Sequence, residues 1–306
     1  MTALPTAPGW RNRTARAPGR MRRQSATVAA TAALALAAAF APLAHAGTLD
    51  RIRQDKTLRI AYRADAPPFS YAGPDGKPAG FIIDLCSAVA SDVATQLQIP
   101  HLAIDYVLVS AADRFDAIRN GKADLLCEAT TATLSRRELV DFSIATFVDG
   151  ASIMIRPDGP HSVEALAGRK IGVLAGTTTE EVLRNTLQAY KITADLIPVG
   201  THQQGLAMLD SGQISAYFAD RSILASLLQE SKAPKDLQLA TTYLTVEPYA
   251  LALPHGDEDF RLAVDRALSH IYRSGAIGGI LAHDFAGQGA PSDMLKTLYV
   301  ISGLPD

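Results

Sequence analysis

The sequence predicts an α/β fold, and three observations carry that prediction. Segments with strand and helix periodicity alternate along the chain. Glycines close the helical stretches just ahead of short apolar strands. A second run of elements then repeats the plan of the first. In the first run, 58–62 (LRIAY) reads as a strand. Pro67-Pro68 and Gly73-Pro74-Asp75-Gly76 mark a loop and a turn. Residues 81–97 form a helix, with Phe81, Leu85, Ala88, Val89 and Val93 on one face. A strand at 104–109, a helix at 114–119 stopped by Asn120-Gly121, and a strand at 123–127 follow. This βαβα order predicts a largely parallel sheet.

In the second run, 170–174 (KIGVL) is a strand and Gly176 leads into a helix at 180–187, with Thr178 and Glu181 spaced as a capping box. Residues 206–209 are helical, Ser211-Gly212 ends them, and 214–218 is a strand. AIRNGKADLLC (117–127) and MLDSGQISAYF (208–218) share this layout of helix end, glycine stop and strand. Two lobes of like architecture would give that likeness, and so would two unrelated βα units. The segment 259–284 is helical, with breaks expected at Gly275 and Gly278-Gly279.

Of the 306 residues, the first 46 have the layout of a cleaved secretory signal peptide. Arg11, Arg13, Arg16, Arg20, Arg22 and Arg23 form a basic region, 26–43 is an Ala/Leu-rich apolar run, and Ala44-His45-Ala46 is a small-x-small site. Met21 is an alternative start. A membrane anchor is the competing reading, weakened by Pro42 and the modest hydropathy of alanine. No Cys follows the cleavage site to carry a lipid, and Ser25-Ala26 does not supply the hydrophobic residue expected after a twin-arginine pair. Removing this segment takes away six of 29 basic residues and none of the 31 acidic ones, for a net charge of −8. A mildly acidic exported chain of this kind is a poor candidate for nucleic acid or anionic membrane. Cys86 and Cys127 are the two cysteines. In an oxidising compartment their even count suggests one disulfide, with two buried free thiols as the alternative.

Local signatures of catalysis are missing: no G-x-S-x-G, P-loop, G-x-G-x-x-G or H-E-x-x-H is present, and the seven histidines have no metal-ligand spacing. That shifts weight toward binding, with no cofactor and no metal.

YRADAPPFSY (62–71), GFIIDLCSAVA (80–90), DRFDAIRNGKADLLCEATTATLSRRELVDFS (113–143), AGTTTEEVL (175–183) and Asp220 together resemble the family 3 extracellular solute-binding proteins of bacterial polar amino acid ABC importers. Within that family the resemblance is to the glutamate/aspartate-binding subgroup. Its most specific piece is Thr133-x-x-Arg136 followed by Asp141-Phe142-Ser143. The resemblance implies a type II periplasmic binding protein: two lobes, each a sheet flanked by helices, joined by a two-strand hinge. One lobe would comprise 47–147 plus 248–306 and the other 150–246, with crossings near 147–152 and 245–249. Such a chain would be a periplasmic monomer that closes on an amino acid and docks on an ABC permease.

A zwitterion needs a partner for each charge. The resemblance assigns the α-carboxylate to Arg136, helped by Thr131, by backbone N–H groups near Ala129 and Thr131, and by the helix start at Thr177 and Thr178. It assigns the α-ammonium to Asp220. Read by itself, Asp220 is a helix N-cap before Ser222-Ile223. Arg63, Arg114 and His202 match the donors that meet a second carboxylate, which favours glutamate or aspartate; Arg137 reads as solvated. Read alone, Arg114 is a solvent-facing first-turn residue and His202 a loop residue. Phe69 is a candidate to pack on the ligand's aliphatic part or, equally, a core residue. Ala111 and Ala129 replace serines of the subgroup, which points to a broader glutamine/asparagine range. An exported cyclohexadienyl dehydratase-like enzyme on the same fold is the remaining alternative, with Glu128 or Glu247 as its acid.

Overall fold

The computed structural model describes residues 47–285 and 291–305, so the expected signal peptide lies outside the described residues. After α1 (Thr48–Asp55), strand β1 (Thr57–Tyr62) buries Leu58, Ile60 and Ala61. A small meander of β2 (Asp65–Ala66), β3 (Ser70–Ala72) and β4 (Pro78–Ala79) leads to α2 (Phe81–Gln96). Then come β5 (Ala103–Leu108), α3 (Arg114–Arg119), β6 (Leu125–Leu126), the single turn α4 (Leu134–Arg137) and the long β7 (Asp141–Asp149). These build a five-stranded sheet in the order β5-β1-β6-β13-β7.

The second sheet repeats that order with β10-β9-β11-β8-β12. It uses β8 (Ala151–Ile155), β9 (Lys170–Leu174), α5 (Thr178–Ala189), β10 (Asp195–Val199), α6 (His202–Asp210), β11 (Ala216–Asp220), α7 (Arg221–Glu230) and β12 (Gln238–Leu239). The chain returns to the first sheet through β13 (Glu247–Leu253) and closes with α8 (Glu258–Arg273), α9 (Ala276–Asp284) and α10 (Asp293–Ser302). In each sheet three neighbouring strands are parallel and the other pairings are antiparallel. The sheets are therefore mixed rather than largely parallel, because β8 and β13 run against their neighbours. Among the described residues no helix is long and apolar enough to cross a membrane.

Three local expectations need correction. The capping box sits one residue earlier than expected. Thr177 Oγ1 accepts from Glu180 N at 3.2 Å, and Glu180 Oε2 accepts from Gly176 N at 2.8 Å. Gly275, at φ 79°, does break the C-terminal helices, but Gly278 and Gly279 lie inside α9. Each costs that helix only about 1 kcal/mol against alanine, which packing offsets. The strand expected over 123–127 is the two-residue β6.

Cys86 on α2 is bonded to Cys127, next after β6, with Cα atoms 6.4 Å apart, so the two are not free thiols. The crosslink ties the end of β6 to the helix packed on the sheet. In the chain-entropy model a loop of this size contributes roughly 4 kcal/mol. The chain passes between sheets at Gly150, where a Cβ would stand 2.2 Å from the Thr245 carbonyl oxygen. Glycine is needed there because the outgoing and returning backbones touch. Leu244 N donates to Ala151 O at 2.7 Å and Ala151 N to Thr245 Oγ1 at 2.8 Å.

Candidate functional site

The polar side chains singled out in the sequence gather where the parallel strands of the two sheets end. Arg63 follows β1, and Ala129 and Thr131 follow β6. Thr177 and Thr178 follow β9, and Asp220 ends β11. Strand ends are where open α/β sheets place ligands. Those six residues line one cavity with Arg114 of α3, Arg136 of α4 and His202 of α6. Its free volume is about 20 Å³, room for about one water, so the side chains that line it stand close together. Phe69 is not brought there. It is wholly buried in a cluster of rings, with Phe147 at 5.0 Å, Tyr249 at 5.2 Å and Phe285 at 5.8 Å between centroids. Its place after Pro-Pro in the sequence does not separate the two positions.

One end of the cavity is a network of paired charges. Arg63 and Arg114 are 3% and 2% exposed, and behind them lies Glu128, 1% exposed. Glu128 stands 3.6 Å from Arg63 Nη1 and 3.2 Å from Arg114 Nε, and accepts from the Thr130 hydroxyl. Arg63 also donates to Asp65 Oδ1 through Nε at 2.9 Å and Nη2 at 2.7 Å. Burial opposes the charge of Arg63, but Glu128 and Asp65 hold its pKa above the ordinary value. Burial pulls Arg114 down to about 10 against the pull of Glu128, leaving it charged at neutral pH. His202 is deeply buried, and burial and then Arg63 push it down to about 3. It is a neutral ring bonded through Nδ1 to the Tyr217 hydroxyl at 2.9 Å.

The other end holds charges without opposite partners. Arg136 Nη1 donates to the Thr131 carbonyl at 2.8 Å, and its guanidinium lies 5.2 Å from the Phe115 ring centre. Burial lowers its pKa, partly offset by Glu128 and Glu247. Its neighbour Arg137 is exposed, 5.9 Å from the Phe142 ring. Asp220 occupies the N-cap position of α7 yet makes no capping bond. Asp149 Oδ2 accepts from Ser222 N at 3.1 Å instead. Asp220 takes only hydroxyls, from Tyr249 and, at 3.4 Å, from Thr179. Burial, then the Asp149 carboxylate, pushes it up to about 7. No basic side chain pairs with it among the described residues.

Glu247, named in the sequence only as a candidate acid, accepts from Thr131 at 2.7 Å and Thr178 at 2.9 Å through Oε2, and from Thr245 at 2.7 Å through Oε1. Hydrogen bonds between the two sheets' elements here include Thr178 to Glu247, Arg114 Nη2 to Gly176 O at 3.2 Å, and His202 N to Asp65 Oδ2 at 3.1 Å, beside that of Tyr249 to Asp220. Gly176 has φ 74° and its Cβ would stand 3.3 Å from Ala111 O. Asp65 and Asp149 were missed in the sequence. Asp65 lies two residues from Arg63, a spacing with no meaning until the β2 turn is known.

The profile of the bacterial extracellular solute-binding proteins, family 3, matches residues 58–285. An L-glutamate/L-aspartate-binding protein of Pseudomonas aeruginosa is 31% identical over 236 residues, 76% of this chain and 78% of that protein. A glutamate/glutamine/aspartate/asparagine-binding protein of Rhodobacter capsulatus is 30% identical over 230 residues, 74% of this chain and 67% of that one. A cysteine-binding protein of Campylobacter jejuni superposes with a TM-score of 0.70 at 22% identity, covering 80% and 96% of the two chains, a likeness of fold. An ancestral amino acid-binding protein described as a precursor of cyclohexadienyl dehydratase superposes at 0.67 with 26% identity, covering 78% and 100%. The two helix-flanked sheets are those of a type II periplasmic binding protein, and the chain belongs to family 3 of the bacterial extracellular solute-binding proteins.

Proposed function

We propose that this chain is the periplasmic receptor of an ABC importer for a free amino acid of the glutamate, aspartate, glutamine and asparagine class. The observation that carries the reading is one cavity lined by a guanidinium, Arg136, and a carboxylate, Asp220, neither of them ion-paired among the described residues. A zwitterion supplies the missing partner to each. Arg136 presents a planar fork to the α-carboxylate. The first turn of α5 adds backbone donors and a positive dipole end, and the Thr131 and Thr178 hydroxyls turn to it from Glu247. Asp220 takes the α-ammonium. Arg63, Arg114 and His202 face the side chain. The names of the relatives from P. aeruginosa and R. capsulatus support the class.

The residues about 47–147 with 248–306 act as one lobe and 150–246 as the other, closing on the ligand about the crossings at 147–152 and 245–249. The closed monomer then docks on its permease, and residues 1–46 are the export signal. Dehydratase chemistry fits less well: Glu128 lies behind two arginines and Glu247 holds three hydroxyls. Titration calorimetry against the common amino acids tests the proposal. Binding of this class is expected, weakened in Arg63→Ala for glutamate. A protein that binds no free amino acid, or that turns prephenate into phenylpyruvate, overturns it.

A further inference from the structure

Three donors at the side-chain end would by themselves select a second carboxylate. The structure shows that their charge is already answered. His202 is neutral, and Arg63 and Arg114 face two protein carboxylates, Asp65 and Glu128. Asp65 has a second task, receiving the α6 N-terminus across the cleft. Glu128 accepts from the Thr130 hydroxyl, but its Oε2 makes no hydrogen bond and faces Arg63 at 3.6 Å. It does not line the cavity, so it touches no ligand and acts through the two guanidiniums in front of it.

We infer that Glu128 is a specificity-determining residue: its buried charge cancels one guanidinium at the side-chain end, so that glutamine and asparagine are accepted about as well as glutamate and aspartate. Two arginines and two acids leave that end near neutral. A carboxylate entering there brings an uncompensated negative charge into a low-dielectric site, where a unit charge acts strongly over several ångströms. A carboxamide of the same shape brings none and still accepts from guanidinium N–H groups. Selectivity is the difference between those two affinities, and a residue out of contact with both sets it.

The inference rests on the proposed amino acid receptor and is tested within it. Wild type and Glu128→Gln are titrated with glutamate and with glutamine. For wild type the two dissociation constants are expected within tenfold of each other. In Glu128→Gln, which keeps the side-chain shape and removes the charge, the ratio should move at least tenfold toward glutamate. A merely structural role would weaken both ligands alike. A wild-type preference for glutamate above tenfold overturns the inference even if the variant does not fold. So does a folded variant whose ratio moves less than tenfold toward glutamate. If neither amino acid binds wild type, the proposed ligand class has failed and the inference fails with it. If both bind and residue 128 does not alter their ratio, the inference alone fails.

Discussion

The two ends of the cavity treat charge in opposite ways. Around Glu128 each guanidinium faces a carboxylate of the protein itself, Arg63 with Asp65 and Glu128, Arg114 with Glu128. At the other end Arg136 has a carbonyl and Asp220 has hydroxyls. β6 and β11 are the middle strands of two sheets of matching order; Glu128 lies two residues beyond β6, and Asp220 is the last residue of β11. One is supplied with cations and the other is denied them. A buried charge without a partner is unfavourable, and that is why the proposed function gives the unpaired end the ligand's own charges.

Several experiments would break or sharpen that contrast. Arg136→Ala should abolish measurable binding with the fold intact; retained calorimetric affinity would mean the ligand's carboxylate is held elsewhere. Asp220→Asn should weaken binding about 30-fold or more, the loss typical of truncating one member of a buried charge pair. Helix α7 should remain, because Asp149 caps it, and circular dichroism would check this.

The pH response comes next in size. The ligand-free pKa of Asp220 is about 7, against 3.8 unperturbed, and the ammonium needs the carboxylate. Affinity should therefore fall by about tenfold per pH unit below 7 and be flat in Asp220→Asn. For stability the sign is opposite. The folded pKa is raised, so this group favours the ligand-free fold at low pH, and that contribution is lost as pH rises from about 4 through about 7. Melting curves of wild type against Asp220→Asn would show it. Arg137→Ala should change affinity less than twofold, since that side chain is exposed.

What could be read in the sequence follows from how local each signal is. β1, α2, α3 and β9 lie near their expected bounds because periodicity and glycine stops sit within a few residues of one another. The full extents of β7 and β13 were not legible: they depend on pairing Glu247 with Asp149, almost a hundred residues away. In Thr177-Thr178-Thr179-Glu180-Glu181 two capping boxes have equal spacing, and only the position of Gly176 decides between them. The same holds at the site. Arg136 and Asp220 stand in recognisable motifs, whereas the partners that distinguish the two ends, Asp65, Glu128 and Asp149, acquire meaning through contacts across the fold. Asp220 reads locally as a cap, and only the intrusion of Asp149 shows that it is free of that duty.

Gly150 also bears on how the halves of the molecule are able to move. With no side chain between them, the outgoing and returning strands lie flush at Thr245 and are laced by the bonds of Leu244 and Ala151. They form one flat strap, not two separate tethers. A strap folds readily across its width but resists shear and lengthwise slip. In the closure proposed above, such a strap would hold the two sheets to a swing about a single axis, and would bring Arg136 and Asp220 back to the same places each time.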